Sequence, residues 1–405
     1  MDLFHDQPMY QAARQMLGAF AKQEMRPIAA KHDLEETMPW ELMKKAQMFG
    51  LSQTALIDAQ KSLGGDDDPP ADGKKKPRKS NRIAVVGAEE LAWGCAGIAL
   101  ALAGSGLAAA PVARMGTEEQ KQLFRDCLKG LDDNGHIKVA AMALSEPSTG
   151  SDISSLATEA RRDGDHWVIN GSKQWITNGQ SASIYVVWAQ TDPSLGRGGV
   201  RGFLVPRGTP GLVPGRKETK LGIRASETAQ VHFEDCRVHK DMMLGQVQQA
   251  TEGLGDTKKM LDSTRPAVGA QAVGIARAAF EFLLERVQGG ELHGTPMASH
   301  QHLTFALAEM EMEIQASRLL VHRAAWMADH HEENVKFASI GKAHAARTAQ
   351  LVTTRAMALL GEEALAPGHP VEKWYRDAKI YDIFEGTGQI QRRIISKQLT
   401  GQNPT

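Results

Sequence analysis

One carboxylate, Glu385, stands where a helical pattern breaks, in the run Arg376-Asp377-Ala378-Lys379-Ile380-Tyr381-Asp382-Ile383-Phe384-Glu385-Gly386-Thr387-Gly388-Gln389. Counting back by four, three and four residues gives Tyr381, Ala378 and Trp374, an apolar stripe at helical spacing. An acid on that stripe faces the interior, where loss of water disfavours its charge and makes it a stronger base. Burial without a partner or a task is costly. Gly386-Thr387-Gly388 then stops the helix and lets the backbone approach another group closely. The same residues also suit an acid satisfied at a helix end beside a turn, so the surrounding elements decide between the two.

Those elements differ in period along the 405 residues, a length that buries a large core and divides into two or three domains. Residues 1–138 read as helices, with Ala12, Met16, Ala19 and Phe20 on one face and Leu42, Ala46 and Phe49 on another, Gly50 being a plausible stop. Within them, 64–80 runs from Gly64-Gly65-Asp66-Asp67-Asp68 through Pro69-Pro70 to Lys74-Lys75-Lys76-Pro77-Arg78-Lys79, a composition that packs no core and predicts a mobile surface loop. Residues 139–248 change to strand character. Asn170-Gly171 and Asn178-Gly179 are turn signals, and Ile184–Gln190, Gly202–Pro206 and Ala229–Phe233 are strands. From 249 to 405 the helical period returns, with Leu303, Leu307, Met310 and Ile314 in register and further helices over Asn334–Leu360 and Val371–Glu385. The expected fold is α+β: an N-terminal helical domain, a middle antiparallel β-barrel or sandwich, and a C-terminal four-helix bundle.

Composition narrows the function. Hydrophobic residues are 42%, charged residues 23% and the net charge is −1, so no global field draws in nucleic acid or an anionic membrane. The basic half of the 64–80 loop lacks the interleaved aromatics of a nucleic-acid site. The three cysteines, Cys95, Cys127 and Cys236, form no disulfide framework and no metal spacing, and read as small buried hydrophobes. Apolar runs, Ile98–Leu102 among them, are broken by glycines and fall short of a membrane span. The early Asp2 and Asp6, with no secretory or transit pattern, suggest a cytoplasmic or already processed organellar protein. Gly104-Ser105-Gly106-Leu107-Ala108-Ala109 has the letters of a dinucleotide fingerprint, but helix precedes it and no βαβ alternation follows. His330-His331-Glu332-Glu333 are consecutive and cannot share one helical face, so no metal site is expected.

Met142-Ala143-Leu144-Ser145-Glu146-Pro147-Ser148-Thr149-Gly150-Ser151-Asp152 resembles a signature of the acyl-CoA dehydrogenase family. So do Trp175-Ile176-Thr177-Asn178-Gly179, Asp262-Ser263-Thr264-Arg265-Pro266 and Phe384-Glu385-Gly386-Thr387, all in the family's order and at its spacings, and Glu89 to Cys95 adds a segment of the first domain. The likeness covers nearly the whole chain and is weakest before residue 83. It implies an FAD enzyme that converts an acyl-CoA to the 2,3-enoyl-CoA, usually a homotetramer built as a dimer of dimers, passing electrons to an electron-transferring flavoprotein. An acyl-CoA oxidase, or a non-catalytic acyl-CoA-binding subunit of the same fold, are the alternatives.

By the same resemblance Glu385 matches the base that removes the α-proton, while its backbone N–H and a flavin hydroxyl stabilise the enolate oxygen. Met142, Leu144, Ser145, Ser151, Trp175, Ile176 and Thr177 match positions around the flavin, Trp175 offering a flat apolar face and the hydroxyls hydrogen bonds. Trp175 taken alone fits core packing of the sheet better than a flavin contact. Ser151, Asp262, Arg265 and Gly386 match substrate-side positions, and Thr387 and Gln389 match further FAD contacts; Thr387 also reads as an N-cap for Ile390–Leu399. Where some relatives carry their base, near Thr264, this chain has no glutamate. The family's FAD clamp frays here: Arg286, His293, His300 and Gln301 remain candidates, but residues are inserted after Arg286, and Gly361-Glu362 stands where a Gly-Gly pair is expected. The small residues Ala99, Ala101 and Ala103, on the helix matching the acyl pocket, suggest room for a medium, long or bulky acyl group.

Overall fold

The computed structural model describes residues 8–47, 80–245 and 253–402, and in helix 253–289 the side chains from Thr264 onward. The 64–80 loop, except for Ser80, and the Phe49-Gly50 helix end lie outside the described residues, as does the Asp262 side chain. Within those bounds the N-terminal part is helical: α1 (Pro8–Phe20) extended by a π-turn (Ala21–Met25), α2 (Arg26–Leu34), α3 (Trp40–Gln47), α4 (Ser80–Ala103), α5 (Ser105–Met115) and α6 (Glu118–Cys127). Thr117 and Gln120 close α6 with a reciprocal capping box, satisfying two donors that a helix start leaves unpaired.

The middle part is a seven-stranded sheet in the order β1 (Ala140–Ala143), β4 (Ile184–Gln190), β2 (Glu159–Asp163), β3 (His166–Thr177), β7 (Thr228–His239), β6 (Leu212–Lys217), with β5 (Val200–Pro206) on β4. Most pairings are antiparallel, as expected. β1, however, pairs parallel to β4, and β2 meets β4 in parallel at one residue pair, Glu159–Gln190. The β2–β3 hairpin between β1 and β4 makes the crossover long enough for a parallel neighbour. β4 is buried at every position: Ile184, Val186 and Trp188 pack with α5 and α6, while Tyr185, Val187 and Ala189 face the sheet interior.

Only one of the two Asn-Gly signals is a turn. Asn178, at φ 60°, ends β3, and the Gly179 N–H donates back to the Ile176 carbonyl. Asn170-Gly171 is a bulge inside β3, where Gly171 at φ 146° lets Thr158 come so close that a Cβ would lie 2.6 Å from its hydroxyl. The β2–β3 hairpin turns at Gly164 instead.

The C-terminal part comprises α7 (Gly253–Gly289), a hairpin of β8 (Glu291–Leu292) and β9 (Thr295–Pro296), α8 (Gln301–Asp329), α9 (Val335–Leu360), α10 (Pro370–Ala378) and α11 (Gly388–Thr400). Leu303, Leu307, Met310 and Ile314 are all buried in the bundle core, as their spacing requires. The helix expected to reach Glu385 stops sooner: α10 ends at Ala378, a 3-10 turn covers Lys379–Asp382, and Glu385 and Gly386 take left-handed φ of 54° and 89°. No α-helix continues through such residues. The residues inserted after Arg286 form the β8–β9 hairpin, with His293 and Gly294 at its tip.

The described cysteines are all free thiols, Cys95 and Cys236 buried and Cys127 half-buried. Two helical stretches, Ser80–Ala103 and Thr264–Gly289, are long and apolar enough to cross a membrane, against the expectation from the glycine-broken runs. Most of each is buried within the protein, and that packing accounts for their composition.

Candidate active site

Glu385 sits half-buried on the turn between the 3-10 segment and α11. Trp374, Ala378 and Tyr381, the stripe behind it, are fully packed, and Phe384 meets Tyr381 edge to face at 5.0 Å. Thr264, near the start of the described face of α7, donates its hydroxyl to Glu385 Oε2 at 3.0 Å. Burial pushes the Glu385 carboxyl above the ordinary range, opposed by the Thr264 hydrogen bond and the Lys342 and Arg265 charges. The Glu385 N–H donates to no acceptor within the described residues.

The turn itself is held from two sides. Lys342 of α9, 1% exposed, donates Nζ to the Gly386 carbonyl at 2.7 Å. Gln391, in the first turn of α11, donates Nε2 to the same carbonyl at 2.9 Å and to the Glu385 carbonyl at 3.3 Å. A Cβ on Gly386 would lie 2.6 Å from that amide nitrogen, so both the left-handed φ and the close packing demand glycine. Thr387 caps α11, its hydroxyl accepting from the Ile390 N–H at 3.2 Å.

On the sheet side, β1 runs through Met142 into Leu144 and Ser145. A buried ion pair anchors the loop that follows. Glu146 accepts from Lys173 Nζ at 2.8 Å and from the Ala157 and Thr158 N–H groups, while Lys173 also donates to the Leu144 carbonyl at 3.0 Å. The Gln174 N–H donates to the Ser145 carbonyl at 2.9 Å, joining this loop to β3. Between Lys173 and Ile176 the pairing of β3 with β7 slips, and Trp175, at φ 63°, is 57% exposed. Trp175 is therefore no part of the sheet core, because the bulge turns its ring out to solvent. α4 ends beside this strand, where a Cβ on Gly104 would lie 3.0 Å from Thr177 Cγ2.

Residues 218–227 tie sheet to bundle. Glu218 accepts from Gln174 Nε2 at 2.9 Å, Arg376 donates to the Leu221 carbonyl at 2.9 Å, and the Ile223 N–H donates to Asp377. Gly222 packs directly on the Arg376 backbone.

The structure thus brings Glu385, Gly386, Thr387 and Arg265 together at one end of the bundle, with Arg265 buried rather than presented to solvent. Ser145, Trp175, Ile176 and Thr177 gather on the sheet, with Ser151 exposed on the loop beyond. Gln389 is exposed in the first turn of α11. Arg286 is 22 residues along α7 from Thr264, about 33 Å at helical rise, so within one chain it does not join Glu385. It pairs with Glu363 at 3.5 Å, beside the hairpin of His293, while His300 meets Thr295 at 2.8 Å and Gln301 opens α8. Ala99 and Ala101 are buried against the N-terminal helices; Ala103 alone of the three is exposed. Sequence reasoning missed Lys342 and Gln391. Lys342 carried the signal that marked Glu385, a charge on an apolar stripe, here Ala338, Ala345, Ala346 and Ala349.

A separate cleft of about 900 Å3, lined by Trp40, His136, Lys138, Arg207 and Glu227 among others, includes none of the predicted site residues. Among the described residues no group of three or more His, Cys, Asp or Glu could hold a metal.

Three family models match along the chain: "Acyl-CoA dehydrogenase, N-terminal domain" over 7–126, "middle domain" over 141–236 and "C-terminal domain" over 251–400. The chain is 38% identical over 393 residues to the mitochondrial short-chain specific acyl-CoA dehydrogenase of Bos taurus, covering 96% of this chain and 90% of that one. Butyryl-CoA dehydrogenase from Megasphaera elsdenii superposes with a TM-score of 0.84 at 32% identity, covering 98% of this chain and 99% of that one. A chain from a structure described as the electron transferring flavoprotein of Acidaminococcus fermentans superposes with a TM-score of 0.85 at 31% identity, covering 98% and 100%.

Proposed function

The chain belongs to the acyl-CoA dehydrogenase family, flavin-dependent oxidoreductases of acyl-CoA thioesters, and we propose that Glu385 is its catalytic base. The observation that carries this is a carboxylate held on a left-handed turn against Thr264, its proton affinity raised by burial.

The residues on the sheet suit FAD, the family's cofactor. Trp175 presents a flat apolar ring, and Ser145 and Thr177 bring hydroxyls on segments joined by the Gln174–Ser145 hydrogen bond. Met142, Leu144, Ser151, Ile176, Thr387 and Gln389 complete the proposed contacts. Arg286, His293, His300 and Gln301, remote from Glu385 in this chain, would serve a neighbouring subunit's cofactor. When bound, FAD supplies the hydride acceptor that no side chain can replace.

In this reading Glu385 takes the α-proton while Thr264 keeps its carboxylate in one rotamer. The Glu385 N–H, unpaired within the described residues, donates to the thioester oxygen as charge develops there. Ser151, Asp262, Arg265 and Gly386 are the proposed substrate-side residues, on the family resemblance. We place the substrate among short-chain acyl-CoAs, as the bovine and M. elsdenii relatives suggest. An electron-transferring flavoprotein as acceptor, a homotetramer, and a cytoplasmic or organellar-matrix setting belong to the same proposal.

The test is Glu385→Gln with butyryl-CoA as reductant. Bleaching of the flavin should fall by roughly a thousandfold or more while FAD stays bound. Wild-type bleaching would remove Glu385 from the mechanism.

A further inference from the structure

We propose that Lys342, together with Gln391, is a positioning residue for the base: the two donors grip the Gly386 carbonyl and hold the Glu385–Gly386 turn in the one backbone state that sets the carboxylate against Thr264 and leaves the Glu385 N–H free. The inference deepens the reading of Glu385 as base and rests on it. Two consecutive left-handed residues, the first bearing a side chain, form an unfavourable backbone unit that persists only when its surroundings over-determine it. The clamp comes from different helices, α9 and α11, so the turn cannot relax without both moving.

An ammonium on an apolar helix face is an expensive way to fill space. A methionine would pack there as well but could not donate to the Gly386 oxygen. Lys342 also places a positive charge beside the base. The charged groups facing it are Arg265 from α7, Glu385 itself and Asp382 from the 3-10 turn. Burial lowers the Lys342 pKa to about 8, Asp382 and Glu385 oppose this and Arg265 adds to it, so the ammonium form prevails at neutral pH and is lost above it. While charged, it favours the ionised form of Glu385 that accepts a proton.

The experiment uses FAD-loaded enzyme and two readouts. One is α-hydrogen exchange into D2O of a 3-thia acyl-CoA, which can lose its α-proton but offers no oxidisable β-carbon, followed by NMR. The other is the pH dependence of flavin reduction by butyryl-CoA. Lys342→Met should slow exchange by roughly tenfold or more at pH 7. It should also move the midpoint of the reduction profile up by about one unit. FAD content and analogue affinity should stay within about twofold of wild type. Lys342→Arg should recover most of both losses, and Gln391→Leu should slow exchange without moving the midpoint, having removed no charge. If Lys342→Met does not fold, Lys342→Gln and Gln391→Leu carry the same readouts. Wild-type exchange and an unmoved midpoint in the Lys342 variants overturn the proposal. Glu385→Gln separates the two levels: exchange surviving in that variant sinks the base itself, whereas an inert Glu385→Gln beside wild-type Lys342 variants sinks only the positioning role.

Discussion

Trp175, Asn178 and Glu385 are three of the eight residues other than glycine held at positive φ within the described structure, and all three belong to or adjoin the candidate site. A side chain in that region costs on the order of 1–2 kcal/mol, so its concentration here marks where position outweighs local comfort. For Trp175 the consequence is measurable. Its ring touches solvent rather than core, so Trp175→Ala should cost less than about 1 kcal/mol in chemical denaturation yet change the visible spectrum of the bound flavin. A loss of several kcal/mol with an unchanged spectrum would make it a packing residue. Glu385 differs, because its strain is gripped by named donors and its neighbours set its proton affinity. The residue type and the apolar stripe were legible in sequence, but the left-handed turn was not, since it depends on Lys342 and Gln391 arriving from other helices.

Among elements, the Ser145–Ser151 loop and β3 act as one unit through Glu146 and Lys173, whose side chains are 2% and 0% exposed. Burial raises the Glu146 carboxyl, but Lys173, Thr158 and the Ala157 N–H outweigh it and the net shift is downward. Burial lowers Lys173 to about 8 despite its partner. Glu146→Gln leaves that ammonium without a counter-charge, which should cost about 3–5 kcal/mol of stability and loosen FAD, read by denaturation and by flavin release. A variant of unchanged stability that still held FAD would deny the loop this anchor. β4 and β7 were readable as strands because both apolar faces or steady alternation show in the letters. β1, β2 and β6 were not, being short, charged or interrupted by Pro214 and Gly215.

At the scale of the molecule, a buried ionic cluster locks the N-terminal helices to the bundle. Glu89 of α4 accepts from Arg318 of α8 and Arg277 of α7 at 2.8 Å each, and Glu90 pairs with Arg277 and with Arg14 of α1. Burial would raise Glu89, but Arg318, Arg277 and Arg14 prevail and hold it at about 2. A carboxyl depressed in the folded state contributes stability above its unfolded pKa of 4.5 and loses it as pH falls towards 2. Thermal unfolding followed by circular dichroism should therefore weaken steeply between about pH 5 and 2, and Glu89→Gln should flatten that slope. An unaltered slope in the variant would assign acid sensitivity elsewhere. Phe305, Met312 and Leu319, seven residues apart, form an exposed apolar stripe along α8. Such a stripe would be covered in the proposed homotetramer. Phe305→Asp should lower the mass measured by light scattering, and a monomeric wild type would remove the tetramer from the proposal.

Local patterning was enough to establish the helix–sheet–helix order, the candidate base and the motifs that name the family, because each depends on neighbours within a few residues. Chain folding alone decided the rest. It chose the parallel pairing of β1 with β4, the exposure of Trp175, the burial of Ala99 and Ala101, and the Lys342–Gln391 grip on the Glu385–Gly386 turn. Each of these is a contact between segments distant in sequence, whose free energy no periodicity of a single segment records.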